Sequence, residues 1–418
     1  MTLISPTGYG GTGSSAVTNI LEEFDNIKNT GNEEFQFTSY PDGISDLEYF
    51  LMEGSPQKTD LAIKRFLDFA NNLSTFKQYK KVFNNKFESY AKNYIKDIIS
   101  MEWNGWWPHF DNDNKKLSNK EKIKLNYIQK QYSAQFKKYI KTKTYEPDGH
   151  DFANVPFNRS MVYYTHLYNE NEQNNFLNKT KIFTDQLLNE AVSNEEKNYK
   201  YIILDQAIPS LNISHHMRYF SSLPKVIVVD RDPRDLYILN KVFWGEGWIP
   251  SYDINLFIRY YKQVRQTRKN ESEASNNSVL FLNFESLVYE YDKSINDIIK
   301  YINLTEKEHI DKLKYFNPEY SNKNTQVFID YPDLSSDINL IERELSDYCY
   351  NFSYKKPSNA KNVLFVENIL NNFNNTIIKT QKKLIFKINF IFYYNFILCK
   401  NILKRILPSG IIKLLKKK

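Results

Sequence analysis

The chain has 418 residues with 41% hydrophobic and 16% aromatic content, which excludes wholesale disorder and is enough for a large α/β core with additional elements. Its formal net charge is +7, but eleven Lys and Arg and no acid lie from Lys379 onward, so the remainder carries −4 and gives no case for a nucleic-acid partner. The two cysteines, Cys349 and Cys399, fit neither a metal spacing nor a disulfide framework, and no signal peptide precedes the first apolar run, so a reducing, cytoplasmic setting without metal is expected.

In chain order, Thr2–Ile4 reads as a strand that enters Gly8, Gly10, Gly11 and Gly13, then leaves through Ser14 and Ser15 into a helical pattern from Ala16 to Leu21. Such a strand, glycine loop and helix N-terminus present backbone N–H groups and a positive dipole end to an anion, so a phosphate ligand is expected at Gly10, Gly11, Thr12, Gly13, Ser14 and Ser15. Two patterns fit at once: Gly8, Gly10 and Gly13 match the dinucleotide fingerprint, and Gly8–Ser15 matches a P-loop without its lysine. The missing lysine argues against an ATPase or kinase. Phe35–Tyr40 reads as the second strand, which puts Asp42 late for a ribose-binding acid.

Residues 56–144 read as a helical insertion over the site: Asp60–Ala70 has apolar residues at helical spacing, and Ser118 with Glu121 forms a capping box. Within it, Trp103, Trp106, Trp107 and Phe110 are either core or an aromatic platform suited to sugar faces. A further helical pattern runs from Asn158 to about Asn194. Apolar strands follow at Tyr201–Leu204, Lys225–Val229 and Ser278–Leu282, with a helix at Asn255–Lys269 before the last. Strands alternating with helices predict a parallel sheet that binds ligands at its carboxyl edge, where Asp205, Asp230 and Arg231 fall. Asp232 as N-cap and Pro233 as first helical residue explain a helix start there, but not Arg231, whose planar fork reads as a second anion site.

These segments together resemble the sulfotransferases that use 3′-phosphoadenosine 5′-phosphosulfate (PAPS). Thr12-Gly13-Ser14-Ser15 stands where that family has Ser-Gly-Thr-Thr, Arg231–Asp235 matches its Arg-Asp-Pro-x-Asp, and Phe284–Val288 looks like its Tyr/Phe-Glu-Asp-Leu. The resemblance implies a P-loop-like α/β fold, with the 5′-phosphosulfate on the glycine loop and the 3′-phosphate on Arg231. It also implies a contact from Asn240, a contribution from Lys323, and transfer of a sulfuryl group to a hydroxyl of a carbohydrate or glycolipid acceptor. Asp205 is the expected base, with His215 and His216 in reserve. Three departures stand out: Gly11 replaces the family's basic residue, Leu239 replaces a serine, and Asp205 replaces a histidine.

The expected organisation is a catalytic domain at 1–345, a linker at 346–378 and a basic amphipathic tail at 379–418. Its apolar run Leu384–Leu398 is too short to span a bilayer, so the tail either lies on an anionic membrane surface at the inner face or packs back on the catalytic domain. A P-loop kinase, an NAD(P)-dependent oxidoreductase and a non-catalytic nucleotide-binding membrane protein are the competing readings.

Overall fold

The computed structural model describes residues 1–105, 127, 160–274, 279–361 and 379. Its strands, in chain order, are β1 (Thr2–Gly8), β2 (Ile27–Lys28), β3 (Met101–Gly105), β4 (Ser160–Tyr164), β5 (Tyr201–Ile203), β6 (Lys225–Asp230) and β7 (Val279–Asn283). Five of them form a parallel sheet in the order β2-β5-β1-β6-β7, flanked by helices. Buried strands of this kind need apolar side chains on both faces. Leu3, Ile202, Val226 and Val228 accordingly point into one hydrophobic cluster, and Ile4, Ile203, Ile227 and Val229 into the other.

Helix α1 (Ser14–Glu22) buries Val17, Ile20 and Leu21 in the second cluster, beside Ile295, Ile298 and Ile302 of the helix Tyr291–Ile302. The first cluster takes the inward faces of the helices Ile44–Glu53, Pro56–Leu73, Phe87–Ile98 and Glu170–Glu190. The region expected to be a helical insertion is therefore helical as far as Ile98, where Met101–Gly105 departs as a strand. That strand pairs antiparallel with β4, which occupies Ser160–Tyr164 where a helix was expected. Four consecutive residues of a helix cannot all face one partner, and β-branched and aromatic side chains in Met161-Val162-Tyr163-Tyr164 fit a pleated edge instead.

Phe35–Tyr40 is not the second strand. Phe35 and Phe37 are both buried, which mimics strand alternation, but the chain folds back on itself: the N–H of Phe37 donates to the carbonyl of Phe35 and that of Tyr40 to Gln36. The second strand is the shorter Ile27–Lys28, and only Glu34 makes a bridge to the sheet, opposite Asp205.

The described chain separates into two compact units, one of residues 1–232 and 259–325 and the other of 233–258 and 326 onward. In the second, the helix Pro233–Ile238 continues as a π-helical turn, Leu239–Trp244. Asp235 holds the N–H groups of Gln326, Val327 and Phe328 there, and Arg234 pairs with Glu342. Among the described residues no helix is long and apolar enough to cross a membrane. Trp106, Trp107 and Phe110, the capping box at Ser118–Glu121, and the tail beyond Lys379 lie outside the described residues.

Candidate functional site

Because β1 is hydrogen-bonded to β5 on one side and β6 on the other, the three loops that leave their carboxyl ends emerge side by side. This is the topological switch point of an open parallel sheet, where ligands bind. The loop after β1 has Gly10, Gly11 and Gly13 at positive φ, the last at 103° as N-cap of α1. Thr12 is buried and braces the loop from inside, its Oγ1 accepting the Tyr9 N–H at 3.1 Å. A side chain at Gly8 would put its Cβ 2.2 Å from Thr12 Oγ1 and 3.0 Å from the Val229 carbonyl. Ser14 and Ser15 open α1; the Ala16 N–H donates back to the Gly13 carbonyl at 3.0 Å, and the N–H groups of Ser14 and Ser15 come before the helix has any carbonyl to take them.

Arg231 comes to the same loop from β6. Its guanidinium donates to the Gly11 carbonyl at 3.2 Å and to the Asn324 carbonyl, and lies 4.5 Å from the centroid of the Phe284 ring. That ring also fills the space beside Gly13, where an added Cβ would sit 2.7 Å from Phe284 Cδ2. One aromatic side chain thus fits against both anion-site candidates. Next to it, buried Glu285 accepts the Asp232 N–H at 3.0 Å and fixes the turn that carries Arg231. Lys323 shares a 3₁₀ turn with Asn324 and is placed near this loop by the Arg231 contact, but its ammonium lies over Tyr320.

Asp205 follows β5 on the carboxyl side of the sheet, short of the glycine loop and level with the later residues of β1: the adjacent Gln206 N–H donates to the Pro6 carbonyl at 2.9 Å, and Gln206 adopts φ 59°. A left-handed, non-glycine residue at a strand end is a strained arrangement of the kind found at functional sites. Asp205 is 1% exposed and its Oδ1 has no hydrogen-bond partner. Burial, reinforced by the charge of Glu34 across the bridge, pushes its carboxyl up to about 8. The acid is thereby poised near neutral pH, as an acid–base group must be.

The two histidines do not join it. His216 is buried, which holds its imidazole down at about 3 and therefore neutral, and its Nδ1 meets Thr38 Oγ1 at 3.1 Å. Thr38 gives its own proton to the Ala207 carbonyl, so His216 is the donor in that pair. His215 has both nitrogens occupied: Nδ1 faces the Arg218 guanidinium at 2.9 Å, and Nε2 lies 2.8 Å from Tyr219 Oη and 3.2 Å from Glu48. An arginine can only donate, so the Nδ1 lone pair that a base would use is already engaged. Glu48, held below its usual range by His215, Tyr219 and Arg218 against the opposing effect of burial, anchors the group.

Asn240 belongs to the second unit. Its amide nitrogen donates to the Ile249 carbonyl and Ser251 Oγ, and its Oδ1 accepts the Glu246 N–H, so the side chain ties the loop 246–251 together. A cavity of about 340 Å³, lined by Lys28, Asn29, Lys81, Asn84 and Glu190, opens beside β2, and no residue of the glycine loop lines it. Among the described residues no cluster of His, Cys, Asp and Glu is arranged to hold a metal ion. No protein-family model and no curated protein matches the chain.

Tyr9, Glu34 and Arg265 were not marked as site residues by the sequence. A signal existed for Arg265, which follows buried Phe257 and Tyr261 at intervals of four and so continues an apolar helix face. Glu34 had none, because its place depends on a turn.

Two outcomes follow. Gly13→Ala combines a positive φ with the Phe284 contact and should cost about 1–3 kcal/mol, read as a lowered Tm; an unchanged Tm would show that the loop relaxes freely. For Asp205, the folded carboxyl keeps its proton up to about pH 8, whereas the unfolded one releases it near about pH 4. The folded state therefore binds more protons between these values, and stability falls as pH rises through that window. Asp205→Asn, always neutral, should gain Tm over wild type increasingly from pH 5 to pH 8.5; a difference independent of pH would show that the buried carboxyl is not protonated.

Proposed function

We propose that the chain is a PAPS-dependent sulfotransferase with a P-loop-like fold, acting on a hydroxyl of a carbohydrate or glycolipid acceptor. The observation that carries this reading is the convergence on one sheet edge of the glycine loop, Arg231 braced against that loop at the Gly11 carbonyl, and the elevated carboxyl of Asp205. The loop and the first turn of α1 receive the 5′-phosphosulfate, and Arg231 receives the 3′-phosphate by exchanging a carbonyl for a charged acceptor.

In the reaction the acceptor oxygen bonds to sulfur while the bond from sulfur to the bridging oxygen breaks. The electron pair leaves on the 5′-phosphate of 3′-phosphoadenosine 5′-phosphate (PAP), and the acceptor's proton passes to ionised Asp205. Backbone N–H groups of the loop take up the charge that grows on the leaving phosphate. No metal is required in this scheme, and the departure at Gly11 leaves the loop's own side chains without a cation.

The deciding experiment is transfer of labelled sulfate from PAPS to a panel of glycans, with turnover rising as pH approaches about 8. Turnover of ATP with Mg²⁺, or selective stabilisation by NAD(P), would replace this reading by a kinase or an oxidoreductase. Binding of PAP with no transfer to any acceptor would leave a nucleotide-binding protein. In calorimetry, Arg231→Ala should weaken PAP by about 1.5–3 kcal/mol in a folded protein, the scale of a hydrogen bond to a charged group; equal affinity removes Arg231 from the nucleotide site.

The basic tail from Lys379 is assigned in this reading to an anionic membrane surface, each cation there adding roughly 1 kcal/mol. Removal of residues 379–418 should abolish sedimentation with anionic liposomes and leave PAP affinity intact, and added salt should weaken the association of the full chain. Full-length protein remaining in the supernatant at low salt would refute the assignment.

A further inference from the structure

Gly11 leaves the glycine loop without a basic side chain, and a cation is instead buried beside that loop. Arg265, in the helix Ile254–Ala274, has a side chain that is 0% exposed. Its guanidinium lies 4.0 Å from the ring centroid of Tyr9, the residue between Gly8 and Gly10, and 4.1 Å from that of Tyr261. Nη2 is bonded to Asp230 Oδ1 at 2.9 Å, and the same oxygen accepts the N–H of Arg231. Arg265 therefore touches the first residue of the glycine loop and the last residue of β6, next to Arg231.

Nε and Nη1 of Arg265 are buried with no hydrogen-bond partner. A guanidinium does not discharge at any ordinary pH, and a buried charged donor without an acceptor is more costly than a neutral one. A single bond to Asp230 does not offset two idle donors. An oxyanion oxygen at either donor supplies a charged acceptor, the strongest kind of partner for a guanidinium N–H.

We propose that Arg265 is the cation of the glycine-loop anion site, placing behind Tyr9 the positive charge that Gly11 does not carry and offering it to the phosphate or phosphosulfate end of the ligand. The inference rests on the loop being an anion site, as in the proposed function, and does not depend on which nucleotide fills it.

Calorimetry on the full chain tests it with three probes: PAP, adenosine 3′-phosphate, which lacks the 5′ anion, and inorganic pyrophosphate. Arg265→Met should weaken PAP and pyrophosphate by about 10- to 100-fold, the worth of a charge-assisted hydrogen bond, and adenosine 3′-phosphate by less than about threefold. Arg265→Lys, which keeps the charge, should recover most of the loss. Equal weakening of all three probes, or a lowered Tm with unchanged affinities, means a purely structural arginine and overturns the proposal. Wild type that binds pyrophosphate but not PAP refutes the nucleotide reading while the pyrophosphate arm still tests Arg265. Wild type that binds none of the three overturns both. If Arg265→Met does not fold, ¹⁵N-arginine labelling of the wild type decides: a slowly exchanging buried Nε–H signal should shift with PAP or pyrophosphate and not with adenosine, and the absence of any shift overturns the proposal.

Discussion

The hydrogen-bond ladder between β1 and β6 is the constraint on which the rest of the site depends. It pairs Ile4 with Lys225 through to Gly8 with Val229, so the two strands end together and the glycine loop and Asp230-Arg231 leave the sheet at the same level. On its other side β1 pairs with β5 from Thr2 to Ile4, and the chain after Ile203 stays beside β1 only as far as Pro6, whose carbonyl accepts the Gln206 N–H. Asp205 consequently lies below the glycine loop rather than level with it, in a position closed to water. A slip of one residue in either ladder would turn every Val and Ile of these strands onto the wrong face, so burial of two apolar clusters fixes the register and, through it, the site.

Burial then gives each ionisable group its character. Asp205 and Arg265 are both buried at this edge, one without a counter-charge and the other with a single carboxylate. A carboxyl can respond by keeping its proton; a guanidinium cannot. The same desolvation therefore produces a titratable acid on the β5 side and a permanent cation on the β6 side. The proposed transfer would draw on such a pairing, a proton acceptor for the incoming hydroxyl and fixed positive charge for the leaving group.

Much of this was legible in the sequence. Four strands of the parallel sheet were visible as short runs of Val, Ile and Leu, and the glycine loop and Arg231 were identifiable because glycine spacing and an Asp-Pro helix start are local signals. Asp205 was legible for the same reason, as the first polar residue after a buried strand. What was not legible depended on distant partners. Phe35 and Phe37 alternate like a strand yet turn: the Phe35 N–H reaches the Asp205 carbonyl, but the Phe37 N–H then donates to Phe35 and the Phe37 carbonyl accepts from Ile44, which ends any ladder. His215 looked available until Arg218 and Glu48, far apart in sequence, were seen to occupy both its nitrogens. Arg265 sits in a helix that also carries Arg259 and Lys262, and its position on the buried face distinguishes it from those exposed cations.

The Phe284 ring has a consequence beyond packing. It lies against the Cα of Gly13 and the guanidinium of Arg231, residues far apart in the chain, and a side chain at Gly13 would overlap it. Removing the ring to accommodate such a side chain would also remove the surface on which Arg231 rests. The three positions can therefore change only together, so sequence drift is blocked one residue at a time along the loop, the strand end and the helix start. In descendants of this chain, they should persist as a set or be lost as a set.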